Sequence, residues 1–133
     1  MTDFQDRLQR LTGTPAQAMP SIELPHDGAL DDHARYDRAT FAFETKDYLH
    51  AATLLEPLAQ AHPSNAATVL LLARSYYHSA RLGRAEELLR DMVERWPSDG
   101  YAHLLLARTL QRSGRAQEGA RHLKIAEAMG LDS

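Results

Sequence analysis

Seven histidines are the first side chains in this sequence that could do chemistry: His26, His33, His50, His62, His78, His103 and His122. A helical metal site wants two of them four residues apart, so that both imidazoles leave one face, as in the HExxH pattern. No two of these histidines have that spacing, and no HExxH occurs. Cysteine is absent, which excludes disulfides, thiolate zinc sites and a thiol nucleophile. The adjacent carboxylates Glu86 and Glu87 fall where a helix surface is expected, and there they read as solvated charges. The glycines are scattered singly, and none forms a phosphate-cradling loop. Combinations of serine, histidine and an acid occur in any chain of this size and say nothing by themselves. The chain therefore reads as no enzyme, with no metal and no cofactor.

The elements that must position any binding residue come next. At 133 residues, 44% of them hydrophobic, the chain is one domain of ordinary soluble composition. No window approaches the roughly 18 consecutive apolar residues that span a bilayer. Met1 to Arg10 mixes acids with bases and has no apolar stretch, so it is no signal peptide, and a cytoplasmic location is the default expectation. Thirteen arginines against two lysines, with much alanine, fit a GC-rich bacterial genome. Residues 1–31 carry two bases and five acids, whereas 32–133 carry 13 of each sign. An acidic arm before a balanced region argues against nucleic acid as a partner.

Pro63 and Pro97 stand 34 residues apart, and the sequence matches itself at that offset. Ala39, Ala73 and Ala107 fall in register, as do Leu55, Leu89 and Leu123. A fixed period in the range of about 20–50 residues means stacked supersecondary units that share one core. Apolar residues recur at helical spacing, and strand-type alternation is absent. The pattern predicts helices near 33–45, 48–61, 66–79, 82–95, 100–112 and 116–129. Pro63-Ser64-Asn65 and Pro97-Ser98-Asp99 close one unit and cap the next helix, and Gly114 marks a turn inside the last unit. Pro57, inside a predicted helix, should bend it or start it afresh. A further short helix is predicted near the start, capped by Thr2 with Gln5 and with Phe4, Leu8 and Leu11 on one face. Residues 12–31, with three prolines, read as an extended arm.

The recurrent residues resemble the tetratricopeptide repeat family, whose helix–turn–helix unit is 34 residues long. In units starting at Asp32, Ala66 and Gly100, the small eighth residue is Ala39, Ala73 and Ala107. The small twentieth is Ala51, Ala85 and Gly119, and the large apolar twenty-fourth is Leu55, Leu89 and Leu123. The resemblance implies an all-α solenoid of three repeats (32–65, 66–99 and 100–133) preceded by the arm, 1–31. The chain departs from the pattern at the fourth position, usually Trp, which holds Arg35, Val69 and His103. Arg38 replaces the usual leucine at the seventh position of the first unit, and Leu131 stands where proline is expected in the last. Atypical terminal units are what a stack that must cap its own ends requires.

The resemblance also implies where a partner sits. In the family the first helix of each unit lines a concave groove. Its lining positions carry over to Tyr36 and Phe43 in the first unit, Arg74, Tyr77 and His78 in the second, and Tyr101, Arg108 and Arg112 in the third. Aromatic side chains beside arginines are typical of interface hot spots. Relatives that clamp the tails of heat-shock chaperones use Lys and Asn at positions that here hold Tyr36, Thr40, Leu71, Tyr101 and Leu105, so that ligand is not expected. The last helix keeps Leu123, Ile125 and Met129 without obvious cover. This face suits self-association as a homodimer, or a fold-back of the Phe4/Leu8/Leu11 helix.

Three functions fit. The first is an interaction scaffold that holds a protein or an extended, acidic peptide in the groove. The second is a self-associating assembly subunit whose groove is filled by its own arm, Ser21-Ile22-Glu23-Leu24-Pro25 being the candidate stretch. The third is a small secretion or folding chaperone, on layout alone.

Overall fold

The computed structural model describes residues 31–131, which form six helices in sequence order. They are α1 (Asp32–Glu44), α2 (Tyr48–Ala61), α3 (Ala66–His78), α4 (Leu82–Arg95), α5 (Gly100–Arg112) and α6 (Ala116–Ala128). Each agrees with its predicted span to within a residue at either end. The expected helix around Phe4, Leu8 and Leu11 and arm residues 12–30 lie outside the described residues.

The helix starts follow from short polar side chains. The carboxylate of Asp31 accepts from the Ala34 amide at 2.8 Å, and that of Asp99 from the Ala102 amide at 3.2 Å. Asn65 does the same for Thr68 at 3.3 Å. Each answers one of the orphan amides of a first helical turn, worth about 1 kcal/mol. Within units the chain turns differently. Lys46, Ala80 and Gly114 all adopt positive φ, at 67°, 64° and 84°, and they are 34 residues apart. At each one the next amide reaches back to the carbonyl of the fifth residue before it: Asp47 to Ala42, Arg81 to Tyr76 and Arg115 to Leu110, all at 2.8 Å. This is the Schellman closure, and it folds the second helix of each unit back on the first.

The second helices end by another route. α2 and α4 stop at His62 and Trp96, each followed by a proline, since the residue before proline is pushed out of helical geometry. The last unit has no such proline. α6 closes instead through Gly130, at φ 92°, with the Leu131 amide bonded to the Ala126 carbonyl at 3.0 Å. α2 passes through Pro57 without stopping, and Pro57 lies on its exposed side.

Successive helices pack antiparallel, and α3 also touches α5 directly. The eighth-position alanines are fully buried in all three units, and so are Ala51 and Ala85 at the twentieth. Gly119 takes that place in the last unit, where a β-carbon would sit 2.8 Å from the Ala107 carbonyl oxygen. Leu55 and Leu89 are fully buried between units. Leu123, at the same position in the last unit, is only half-buried, because no described helix follows it.

Candidate functional site

Leu70, Arg74, Tyr77 and His78 of α3 face Tyr101, Leu104, Leu105 and Arg108 of α5 across a pocket of about 360 Å³. Five of the eight groove residues read from the sequence, Arg74, Tyr77, His78, Tyr101 and Arg108, thus converge there. Phe43 borders them from α1: the Arg74 guanidinium lies 4.5 Å from its ring centre. Phe43, Tyr48 and His78 form an aromatic cluster, with Tyr48 stacked on His78 at 4.8 Å and Phe43 edge-on to both. Tyr48 was not singled out from the sequence. It opens α2, yet its ring turns toward the end of α3, and only its place as the first residue of a second helix hinted at this.

Arg112 has a more local role. Its guanidinium sits 4.8 Å from the Tyr77 ring and donates to the Tyr77 carbonyl at 3.1 Å, tying the third unit to the second. Tyr36 is separate as well. With Asp32, His33, Leu58, His62 and Thr68 it lines a second pocket, of about 430 Å³, between the first two units. That pocket contains a 2.6 Å pair between His62 Nε2 and an Asp32 carboxylate oxygen, and no arginine.

The electrostatics single out the first pocket. Among the described residues no carboxylate pairs with Arg74, Arg108 or Arg112. Burial, together with the nearby positive charges of Arg74 and Arg112, holds the His78 imidazole below the usual histidine range. His78 is thus neutral at pH 7, and its place beside two guanidiniums marks a positive local potential. The arrangement offers two cations, three phenol or imidazole edges and a floor of leucine.

The carboxylates outside the groove hold the stack together. Glu86 is not the solvated charge read from the sequence: it is half-buried, bonded to Arg90 at 2.9 Å and to Arg115. Burial works against its ionisation, but the hydrogen bonds from Arg115 and Arg90 outweigh it and hold its carboxyl below the ordinary range. Arg90 also reaches Glu118 of the next unit at 2.7 Å. Glu56 accepts from the buried Tyr76 hydroxyl at 2.8 Å across the first junction, and burial raises its pKa despite that bond.

Two histidines do meet. His103 Nε2 lies 3.0 Å from the Pro97 carbonyl, which can only accept, so that nitrogen carries a proton. His103 Nδ1 lies 3.4 Å from His122 Nδ1, and the two rings stack with centres 5.6 Å apart. This pair locks α6 to α5, and His103 uses the place of the family's usual Trp to hold the preceding proline turn. Among the described residues no three histidine, aspartate or glutamate side chains gather as metal ligands would. At the far end, Ala126 is buried, Ile125 and Leu123 are half-buried, and Met129 is 41% exposed, so the terminal face is less bare than the sequence suggests. Leu131 packs its side chain over Gly100 at the start of α5.

The sequence pattern of the tetratricopeptide repeat matches residues 42–108, half of the chain. The chain belongs to the tetratricopeptide repeat family. Solved structures share the fold of this repeat protein at low identity. The MamA RS-1 ArsTM double mutant aligns with a TM-score of 0.71 at 22% identity, over 77% of this chain and 57% of that one. MamA 41-end from Desulfovibrio magneticus RS-1 gives 0.71 at 22%, over 79% and 60%. A chain of the CopN–Scc3 complex gives 0.70 at 15%, over 100% and 91%. The repeat protein thus spans less than two thirds of the two MamA chains. No curated protein sequence matches it. No described helix is long and apolar enough to cross a membrane.

Proposed function

We propose that this repeat protein is a non-catalytic cytoplasmic scaffold that holds an extended, carboxylate-bearing segment of a partner protein in the groove between α3 and α5. The observation that carries this reading is the pair of cations, Arg74 and Arg108, lining an aromatic pocket without a carboxylate partner among the described residues. A carboxylate in that pocket accepts charge-assisted hydrogen bonds, each worth roughly 1.5–3 kcal/mol when partly shielded from water. The phenol rings of Tyr77 and Tyr101 suit the apolar residues beside it. The fold shared with a chain of the CopN–Scc3 complex, a protein seen with a protein partner, supports the same class of function.

Charge complementarity also supports a second reading, in which the groove is held by the chain's own arm and the last helix pairs with a second copy through Leu123, Ile125 and Met129. Ser21-Ile22-Glu23-Leu24-Pro25 sets one carboxylate between two apolar residues. A tethered segment needs little intrinsic affinity, because its effective concentration is high.

One experiment tests both. A fluorescent peptide of sequence MPSIELPHDG, residues 19–28, is titrated into the full chain and into a chain lacking residues 1–31. Binding that weakens tenfold or more in Arg74→Ala and Arg108→Ala supports the scaffold. Tighter binding to the shortened chain supports occupation by the arm. Binding indifferent to both arginines overturns the groove assignment.

A further inference from the structure

The outer face of α1 does not match its counterparts. Residues 35, 38 and 41 lie three apart on one side of the helix. One period later the same positions are Val69, Leu72 and Ser75, all buried under the first unit; two periods later they are His103, Leu106 and Thr109, all buried under the second. In the first unit they are Arg35, Arg38 and Phe41, and Phe41 is 67% exposed. Two features stand out. The fully buried hydroxyl positions, Ser75 and Thr109, are small because a neighbouring unit presses on them. A phenylalanine there cannot take a repeat helix at that distance, so the face is not built for another unit of the same kind. It is also not a plain polar cap, since a cap has no need of an exposed ring one turn beyond two arginines.

We infer that this face is a docking site for the chain's own segment Thr2–Leu11, which closes the open end of the solenoid. The segment has the complementary chemistry. Phe4, Leu8 and Leu11 share one face at helical spacing, and Asp3 and Asp6 supply carboxylates three apart, the spacing of Arg35 and Arg38. The tether is ample. Residues 12–30, 19 in number, extend to about 60 Å. α1 has 13 residues and is about 20 Å long, so the segment can lie along it in either direction. The tether joins the described chain at Asp31, at the start of α1 itself, so the effective concentration is higher here than at the opposite end. That opposite end also offers less: Met129 is 41% exposed against 67% for Phe41. This site is distinct from the groove and does not depend on the reading given to it.

The absence of native cysteine makes the test clean. A nitroxide placed at Gln5→Cys, off the Phe4/Leu8/Leu11 face, is read by relaxation of the amides of the full chain. Docking bleaches the amides of residues 35–42 and restores them on reduction of the label. It leaves them sharp in a mixture of labelled, isotope-free chains with unlabelled, isotope-enriched ones. Phe41→Ser, which installs the residue of the second unit at an exposed position and should leave the fold intact, removes the bleaching, as does Arg35→Glu with Arg38→Glu. Bleaching centred on residues 120–131 places the segment on the last helix and overturns the inference. Bleaching seen in the mixed sample assigns the face to a second copy, and none anywhere means that the segment docks nowhere; either result overturns it as well.

Discussion

The leucine at position 24 of each repeat supplies a stability test with an internal control. Leu55 and Leu89 are fully buried between units, whereas Leu123 is half-buried at the end of the stack. Truncating Leu89 to alanine opens a cavity that neighbours on two units cannot fill, at a cost of about 2–5 kcal/mol. Glycine in its place adds about 1 kcal/mol through the freedom of the helix backbone. Against a domain stability of about 5–15 kcal/mol, either change is large. Leu123→Ala leaves no closed cavity, because water already reaches that side chain. Roughly half of a leucine's transfer free energy is lost there, about 1 kcal/mol. At about 4 °C per kcal/mol, the midpoint falls by roughly 8–20 °C for Leu89→Ala and by about 4 °C for Leu123→Ala. The only tryptophan, Trp96, is half-buried at the turn between the second and third units and reports unfolding there. Urea and thermal melts followed by its fluorescence and by helical circular dichroism give both values at low protein concentration. An unchanged midpoint for Leu89→Ala refutes the repeat register. A loss at Leu123 equal to that at Leu89 refutes the view that the last helix of the monomer lacks a covering neighbour.

Ala80 holds a left-handed backbone that disfavours an L-residue by about 1–2 kcal/mol, and glycine loses about 0.4–1 kcal/mol of that advantage through its freer unfolded chain. Ala80→Gly should therefore raise the midpoint, and Gly114→Ala at the same turn should lower it; a thermal melt showing the reverse order counts against the shared turn geometry. His78 is held neutral near pH 7, so its protonation as pH falls through and below the usual histidine value adds positive charge to the groove. Peptide affinity should rise between pH 7.5 and 5.5 in the wild type and stay flat in His78→Gln, measured by fluorescence anisotropy. The sign for stability is opposite: the lowered folded-state pKa gives a contribution present above the unfolded value and lost as pH drops. If the terminal face pairs two copies, Ile125→Glu with Met129→Glu should halve the sedimentation mass of a wild-type dimer, and a wild type that is monomeric at high micromolar concentration removes that reading.

The sequence by itself determined the period, the six helices and where each begins and ends. These are local matters: Asn65 and Asp99 cap because their side chains reach amides three residues on, and Pro63 and Pro97 stop helices by their own geometry. The buried alanines were legible too, since small residues repeated every 34 positions have no other common purpose. Tertiary structure decided which side chains meet across units. Tyr48 stacks on His78, 30 residues away, and Glu86 joins Arg115 across a unit junction, because adjacent helices bring together positions that share no local spacing. It split the expected groove into two pockets and gave two of the three arginines, Arg74 and Arg108, to one of them, leaving Tyr36 in the other. It also set the unequal worth of equal residues: Leu89 and Leu123 hold the same place in the pattern, yet only a neighbouring unit can bury a leucine, and the last unit has none among the described residues.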